Sequence, residues 1–174
     1  MPPKTDLTSL LVDLVDEGID FIVVGGMAAV IQGVPAATFD LDIVHSRTEE
    51  NVNRILAFLD RMGAYARGRP EGQRLRPDGA ALMVPGYQLM MTDRGALDLL
   101  GAIERGLTYE DLIVDSITLS LRGRPVLVVE LEALLDLKRD ATHPKDREKR
   151  LLIKETLRRK QGQASLKNGS DPGP

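Results

Sequence analysis

The sequence predicts an α/β (α+β) domain, a mixed twisted sheet covered by helices, with further helices closing its C-terminal end. Three observations point there. From Leu7 to Leu59, apolar patterns alternate in the order helix–strand–helix–strand–helix. Hydrophobic residues make up 43% of the 174, enough for one core of ordinary domain size. Ser116 to Leu121, the turn Arg122-Gly123-Arg124-Pro125 and Val126 to Val129 read as strand–turn–strand, which a helical bundle would lack.

Each element has its own warrant. In residues 6–17, Leu7, Leu10, Leu11, Leu14 and Val15 fall at helical spacing, and Gly18 stops the helix. Phe21-Ile22-Val23-Val24 is a buried strand entering a tight turn at Gly25-Gly26. Met27 to Gln32 forms one short helix, ended by Gly33 and Pro35. Thr38 to His45 alternates, with Phe39, Leu41 and Ile43 on one face and Asp40, Asp42 and Val44 on the other. Ser46-Arg47-Thr48-Glu49 matches a capping box, and the helix it opens carries Val52, Ile55, Leu56 and Leu59 on one stripe before stopping at Gly63. Gly68 to Gly79, rich in glycine, proline and arginine, reads as a mobile surface loop. Short strands are expected around 64–67, 82–91 and 96–100. Leu131 to Ala141 and Lys145 to Lys160, separated at Pro144, are the closing helices of a single domain over 1–160, and 161–174 is a polar tail expected to be disordered.

Composition narrows the chemistry. Without cysteine there is no disulfide scaffold, thiolate zinc site or cysteine nucleophile, and two histidines are too few for a histidine metal cage. No apolar run approaches the ~20 residues that cross a bilayer, and the first residues lack a secretory signal, so a soluble cytoplasmic protein is expected. Charge is uneven. Lys138 to Lys167 holds 11 basic and 4 acidic residues, against 12 and 22 in the rest of the chain. That asymmetry suits either a polyanion-binding surface or an ordinary solvated helix face. The six aromatic residues are scattered, so no stacking platform for single-stranded nucleic acid is visible.

A few polar residues resist the bland reading. Asp40 and Asp42 leave one strand on the same side, roughly 6.5 Å apart at Cα. Such a pair either holds a hard cation such as Mg²⁺ or decorates a solvent face. Gly25-Gly26 either brings backbone N–H groups to phosphate oxygens or simply makes a tight turn. Asp98, inside Ala96-Leu97-Asp98-Leu99-Leu100, needs a cation or a basic side chain, or a turn to solvent. Lys138 shares a stripe with Leu131, Leu134 and Leu135, where it either snorkels or serves a site. Asp146 most simply caps or pairs within the last helix, beside Lys145, Arg147 and Arg150. His45 ends a strand, His143 sits in a turn and Met90-Met91 fills core; none receives a catalytic role.

Taken together, Val23-Val24-Gly25-Gly26 followed by Asp40-Leu41-Asp42-Ile43-Val44 resembles the signature of the DNA polymerase beta-like nucleotidyltransferase superfamily. The nearer likeness is to small bacterial nucleotidyltransferase-fold proteins related to abortive-infection toxins. Gly95 to Leu100, Leu131 to Lys138 and Lys145-Asp146 extend that likeness from about Phe21 to Leu157. The resemblance implies a nucleotidyltransferase fold and a Mg²⁺-dependent transfer of NMP from an NTP to a hydroxyl acceptor on RNA, protein or a small molecule, with two metal ions. It implies Asp40, Asp42 and Asp98 as metal-binding catalytic carboxylates and Gly25 and Gly26 as phosphate contacts. It also places Lys138, charge-offsetting, and Asp146 in the nucleotide site. Two departures stand out: many members have Gly-Ser where this chain has Gly25-Gly26, and Ala36-Ala37 replaces an arginine some relatives carry. A toxin–antitoxin role, with a cognate partner protein, is a further implication. The alternative is a non-catalytic partner of the same fold that binds RNA, DNA or a cognate protein through the basic helices. Arg67, Arg69, Arg74 and Arg76 are candidates to close over a triphosphate or acceptor.

Overall fold

The computed structural model describes residues 5–70, 73–139 and 143–168. Chain order begins with α1 (Leu7–Asp16), β1 (Phe21–Val24), α2 (Gly25–Ile31), β2 (Asp40–His45) and α3 (Glu49–Arg61). There follow β3 (Tyr65–Ala66), α4 (Gly79–Leu82), β4 (Tyr87–Thr92), β5 (Gly95–Leu100) and α5 (Tyr109–Leu112). The chain ends with β6 (Ser116–Leu121), β7 (Arg124–Val129), α6 (Leu131–Leu137) and α7 (Pro144–Asn168).

The strands form one mixed seven-stranded sheet in the order β3-β4-β5-β2-β1-β7-β6. β2 lies centrally, antiparallel to β1 and parallel to β5. On it, Leu41 and Ile43 are fully buried while Asp40 and Asp42 project to the other face, so period-2 alternation separates the core from the carboxylates. The apolar side packs into a single core with Leu10, Leu11 and Leu14 of α1, Ile55, Phe58 and Leu59 of α3, and Leu97 and Leu99 of β5. Buried polar groups there are bonded to backbone. Asn51 ties the start of α3 to Asp20 and to the Ser46 carbonyl, and Gln32 donates to the Ala28 and Val129 carbonyls. Arg122 and Gly123 both take positive φ, 49° and 77°, the backbone that a two-residue hairpin between β6 and β7 requires.

Several boundaries differ from the sequence reading. Phe39 is 82% exposed, because the ladder of β2 begins at Asp40, two residues after the expected start at Thr38. The cap of α3 is Thr48, which accepts from the Asn51 N–H, and not Ser46, whose own N–H is still engaged with the Asp20 carbonyl. Residues 79–82 form α4, so β4 starts only at Tyr87. α6 ends at Leu137; of the rest of the expected helix to Ala141, residues 140 and 141 lie outside the described residues. α7 continues to Asn168, beyond the expected end at Lys160, since Gln161, Gln163, Ala164, Leu166 and Lys167 tolerate helix well and outweigh Gly162. The remainder of the predicted tail, 169–174, lies outside the described residues.

Candidate active site

The sheet register assembles the carboxylates. Asp40 and Asp42 are two apart on β2, and parallel pairing sets Asp42 directly opposite Asp98 of β5. All three therefore project on one face, each offering an oxygen within 4.8 Å of the others. Close carboxylates in partial burial repel one another. Desolvation, with the nearby charges of Asp40 and Asp98, pushes Asp42 up from 3.8 to about 6, against the opposing pull of Lys149 and Lys138. Burial likewise raises Asp98, countered mainly by Arg67.

Arg67 is the basic partner that Asp98 needs in its apolar strand. It forms an ion pair with one Asp98 oxygen, and both side chains are largely withdrawn from water. β3 pairs with β4 and β4 with β5, and the Arg67 N–H donates to the Leu89 carbonyl; Leu89 is itself the register partner of Asp98. Sequence reading placed Arg67 only among the arginines flanking the loop. Of the others, Arg74 lies over the Tyr65 ring and Arg76 pairs with Asp60 at 3.4 Å. Both line a cavity of about 510 Å³ between Leu56, Gly63 and Pro77. Residues 71 and 72 of that loop lie outside the described residues. Among the four arginines, Arg67 alone pairs with a carboxylate of the triad.

The glycine turn faces the carboxylates from the other side. Gly25 has φ +63°, and a Cβ there would sit 2.2 Å from Asp42 Oδ2. At Gly26 a Cβ would lie 2.6 Å from Thr38 Oγ1. The Thr38 hydroxyl in turn donates to the Asp40 carbonyl at 3.1 Å. A cleft of about 180 Å³ opens beside Asp42, walled by Gly25, Leu100, Ile103, Leu134 and Leu137, with Lys138 on its edge.

Lys138 and Asp146 meet at 2.9 Å, joining the end of α6 to the first turn of α7. Asp146 thus pairs across the helix junction and not within its own helix, and Lys138 holds it below the ordinary carboxylate range. Lys149, one turn further along α7, reaches the glycine turn and went unnoticed in the sequence among many equivalent basic residues. His45 is buried, with Nε2 2.9 Å from the Leu82 carbonyl.

No family model matches the chain, and no curated protein matches it. Solved structures do resemble it. A Thermotoga maritima protein described as a nucleotidyltransferase superposes with TM-score 0.52 at 19% identity, over 90% of this chain and 91% of that one. ANT(2'')-Ia in complex with adenylyl-2''-tobramycin gives 0.55 at 17% identity, over 87% and 89%. The solution structure of the antibiotic-resistance factor ANT(2'')-Ia gives 0.53 at 16%, over 93% of each chain. The chain has the nucleotidyltransferase fold. Among the described residues, no helix is long and apolar enough to cross a membrane.

Proposed function

We propose that this protein is a divalent-metal-dependent nucleotidyltransferase that moves a nucleoside monophosphate from an NTP to a hydroxyl acceptor on RNA, protein or a small molecule. The observation that carries this reading is the Asp40–Asp42–Asp98 cluster beside a glycine turn and an open cleft. The donor set fits Mg²⁺: three hard oxygen ligands gathered within 4.8 Å, on a face where their mutual repulsion calls for a cation. Bound there, one or two such ions would neutralise triphosphate charge and make the acceptor hydroxyl easier to deprotonate.

The chain's own residues do the rest. Asp98 takes the acceptor proton as the acceptor oxygen bonds to the α-phosphorus and the bond to the β-phosphate oxygen breaks, releasing pyrophosphate. Arg67 opposes the rise that burial causes in Asp98 and aims its carboxylate through their ion pair. The absence of a side chain at Gly25 lets the Asp42 carboxylate lie directly against the glycine turn, whose backbone N–H groups are the ones offered to phosphate oxygens. Leu100, Ile103, Leu134 and Leu137 give the nucleoside an apolar seat. A structural neighbour of the same fold that holds adenylyl-2''-tobramycin supports a nucleotide-transfer chemistry.

A second reading, a non-catalytic partner within a toxin–antitoxin pair, draws on the exposed basic stretch of α7 around Arg158, Arg159 and Lys160. The intact carboxylate cluster favours the enzyme. Thermal denaturation with each NTP and Mg²⁺ tests the choice. A nucleotide at about 100 times its Kd adds about 2.7 kcal/mol, so the midpoint should rise by several degrees and fall back with a chelator. No rise with any of the four nucleotides contradicts the enzyme reading.

A further inference from the structure

From the geometry we infer that Lys149 is the residue that binds a phosphoryl group of the incoming nucleotide; this rests on the nucleotidyltransferase reading above. The two ammonium groups near the carboxylates are not equivalent. Lys138 is already engaged by the Asp146 carboxylate at 2.9 Å, an ion pair that fastens α7 to α6. Lys149 makes no ion pair with a carboxylate among the described residues, although it is only partly exposed. Its Nζ lies 3.9 Å from the position a Gly26 Cβ would occupy, and Thr38 Oγ1 lies 2.6 Å from the same point. The Lys149 ammonium therefore stands beside the glycine turn at the rim of the carboxylate cluster, while Thr38 fills the space that a Gly26 side chain would take.

The electrostatics agree. Of the two lysines, Lys149 exerts the larger pull on Asp42, so its charge is felt at the heart of the cluster. Once a divalent cation satisfies the three carboxylates, the remaining acidic group that feels Lys149 is Asp146, which is already paired with Lys138. A polyphosphate supplies what is missing, bridging from the metal side to Lys149. Lys138 is a positioning residue in this scheme, because it holds α7 at the angle that brings Lys149 to the glycine turn.

Inorganic tripolyphosphate with Mg²⁺ is the probe, since it carries the phosphates without committing to a base. Its affinity is measured by calorimetry for wild type, Lys149→Met, Lys149→Arg and the Asp40→Asn/Asp42→Asn double variant, with Mn²⁺ binding measured alone as a second readout. Losing one hydrogen bond to a charged group weakens binding by about tenfold to a hundredfold. The expected result is a loss of that size in Lys149→Met, recovery to near wild type in Lys149→Arg, and Mn²⁺ affinity no lower than wild type in both. Wild-type tripolyphosphate affinity in Lys149→Met, with loss in the double aspartate variant, overturns the assignment of Lys149 and leaves the enzyme reading standing. Absence of tripolyphosphate binding in wild type overturns both. A fall in Mn²⁺ affinity with Lys149→Met also overturns the assignment, because it would place the lysine's effect on the carboxylates and not on the phosphates.

Discussion

Replacing Asp42 by Asn should make the metal-free protein more stable at neutral pH, while removing its response to Mg²⁺. In the folded chain Asp42 titrates at about 6, against 3.8 without its surroundings, because burial and the charges of Asp40 and Asp98 disfavour its ionised form. That difference corresponds to roughly 3 kcal/mol. Below pH 3.8 the group is protonated in both states and costs nothing. As the pH rises the unfolded chain ionises first, so native stability falls through the window from about 4 to 6 and the full penalty is present above it. Asparagine keeps the shape and never ionises. The gain from Asp42→Asn should therefore be near zero at pH 4 and about 3 kcal/mol at pH 7.5, a midpoint rise of about 6–12 °C for a domain of this size. His45 works in the opposite sense, since burial lowers it and favours stability above its ordinary value, but it is common to both proteins and cancels in the difference. Urea unfolding in EDTA at the two pH values measures the effect, repeated with excess Mg²⁺, which should stabilise only the wild type. An Asp42→Asn protein less stable than wild type at pH 7.5 in EDTA, or a difference independent of pH, would refute the reasoning.

Gly25→Ala should cost about 1–3 kcal/mol in urea unfolding through its left-handed backbone, and should abolish Mn²⁺ binding because the new Cβ displaces Asp42. Arg67→Ala removes the partner of a buried carboxylate, with an expected loss of about 1–3 kcal/mol. It should also raise Asp98 further, so that Mn²⁺ binding measured against pH begins at higher pH than in wild type. Lys138→Met should loosen α7, seen as faster amide hydrogen exchange around 146–157. The ion pair it breaks is fully present above the ordinary carboxylate value and is lost only as pH falls below it, so wild type should approach the variant's exchange pattern in acid.

The carboxylate cluster was legible because strand period and charge disagreed at particular positions. Asp40 and Asp42 alternate with buried Leu41 and Ile43, and Asp98 stands in an otherwise apolar strand, so each announces an environment that needs an explanation. Chain order also carried the helices and most strands, since their stripes are strong. What escaped depends on register. Nothing local distinguishes Arg67 from Arg69; the pairing of β3, β4 and β5 brings only the former to Asp98. Lys149 is one of many basic residues on α7, and the packing of that helix against α6 selects it. Phe39 was misplaced because periodicity extrapolates past the end of a ladder, and Ser46 because Ser and Thr both cap well and only the extent of β2 decides between them.

The most direct measurement is calorimetric titration of each NTP into the wild-type protein with Mg²⁺, into the same protein with EDTA, and into the Asp40→Asn/Asp42→Asn variant with Mg²⁺. A three-aspartate cation site serving nucleotide transfer predicts saturable one-site binding of at least one NTP in the first case only, with the variant as folded as wild type by circular dichroism. Equal binding in EDTA, or in the folded double variant, would contradict it.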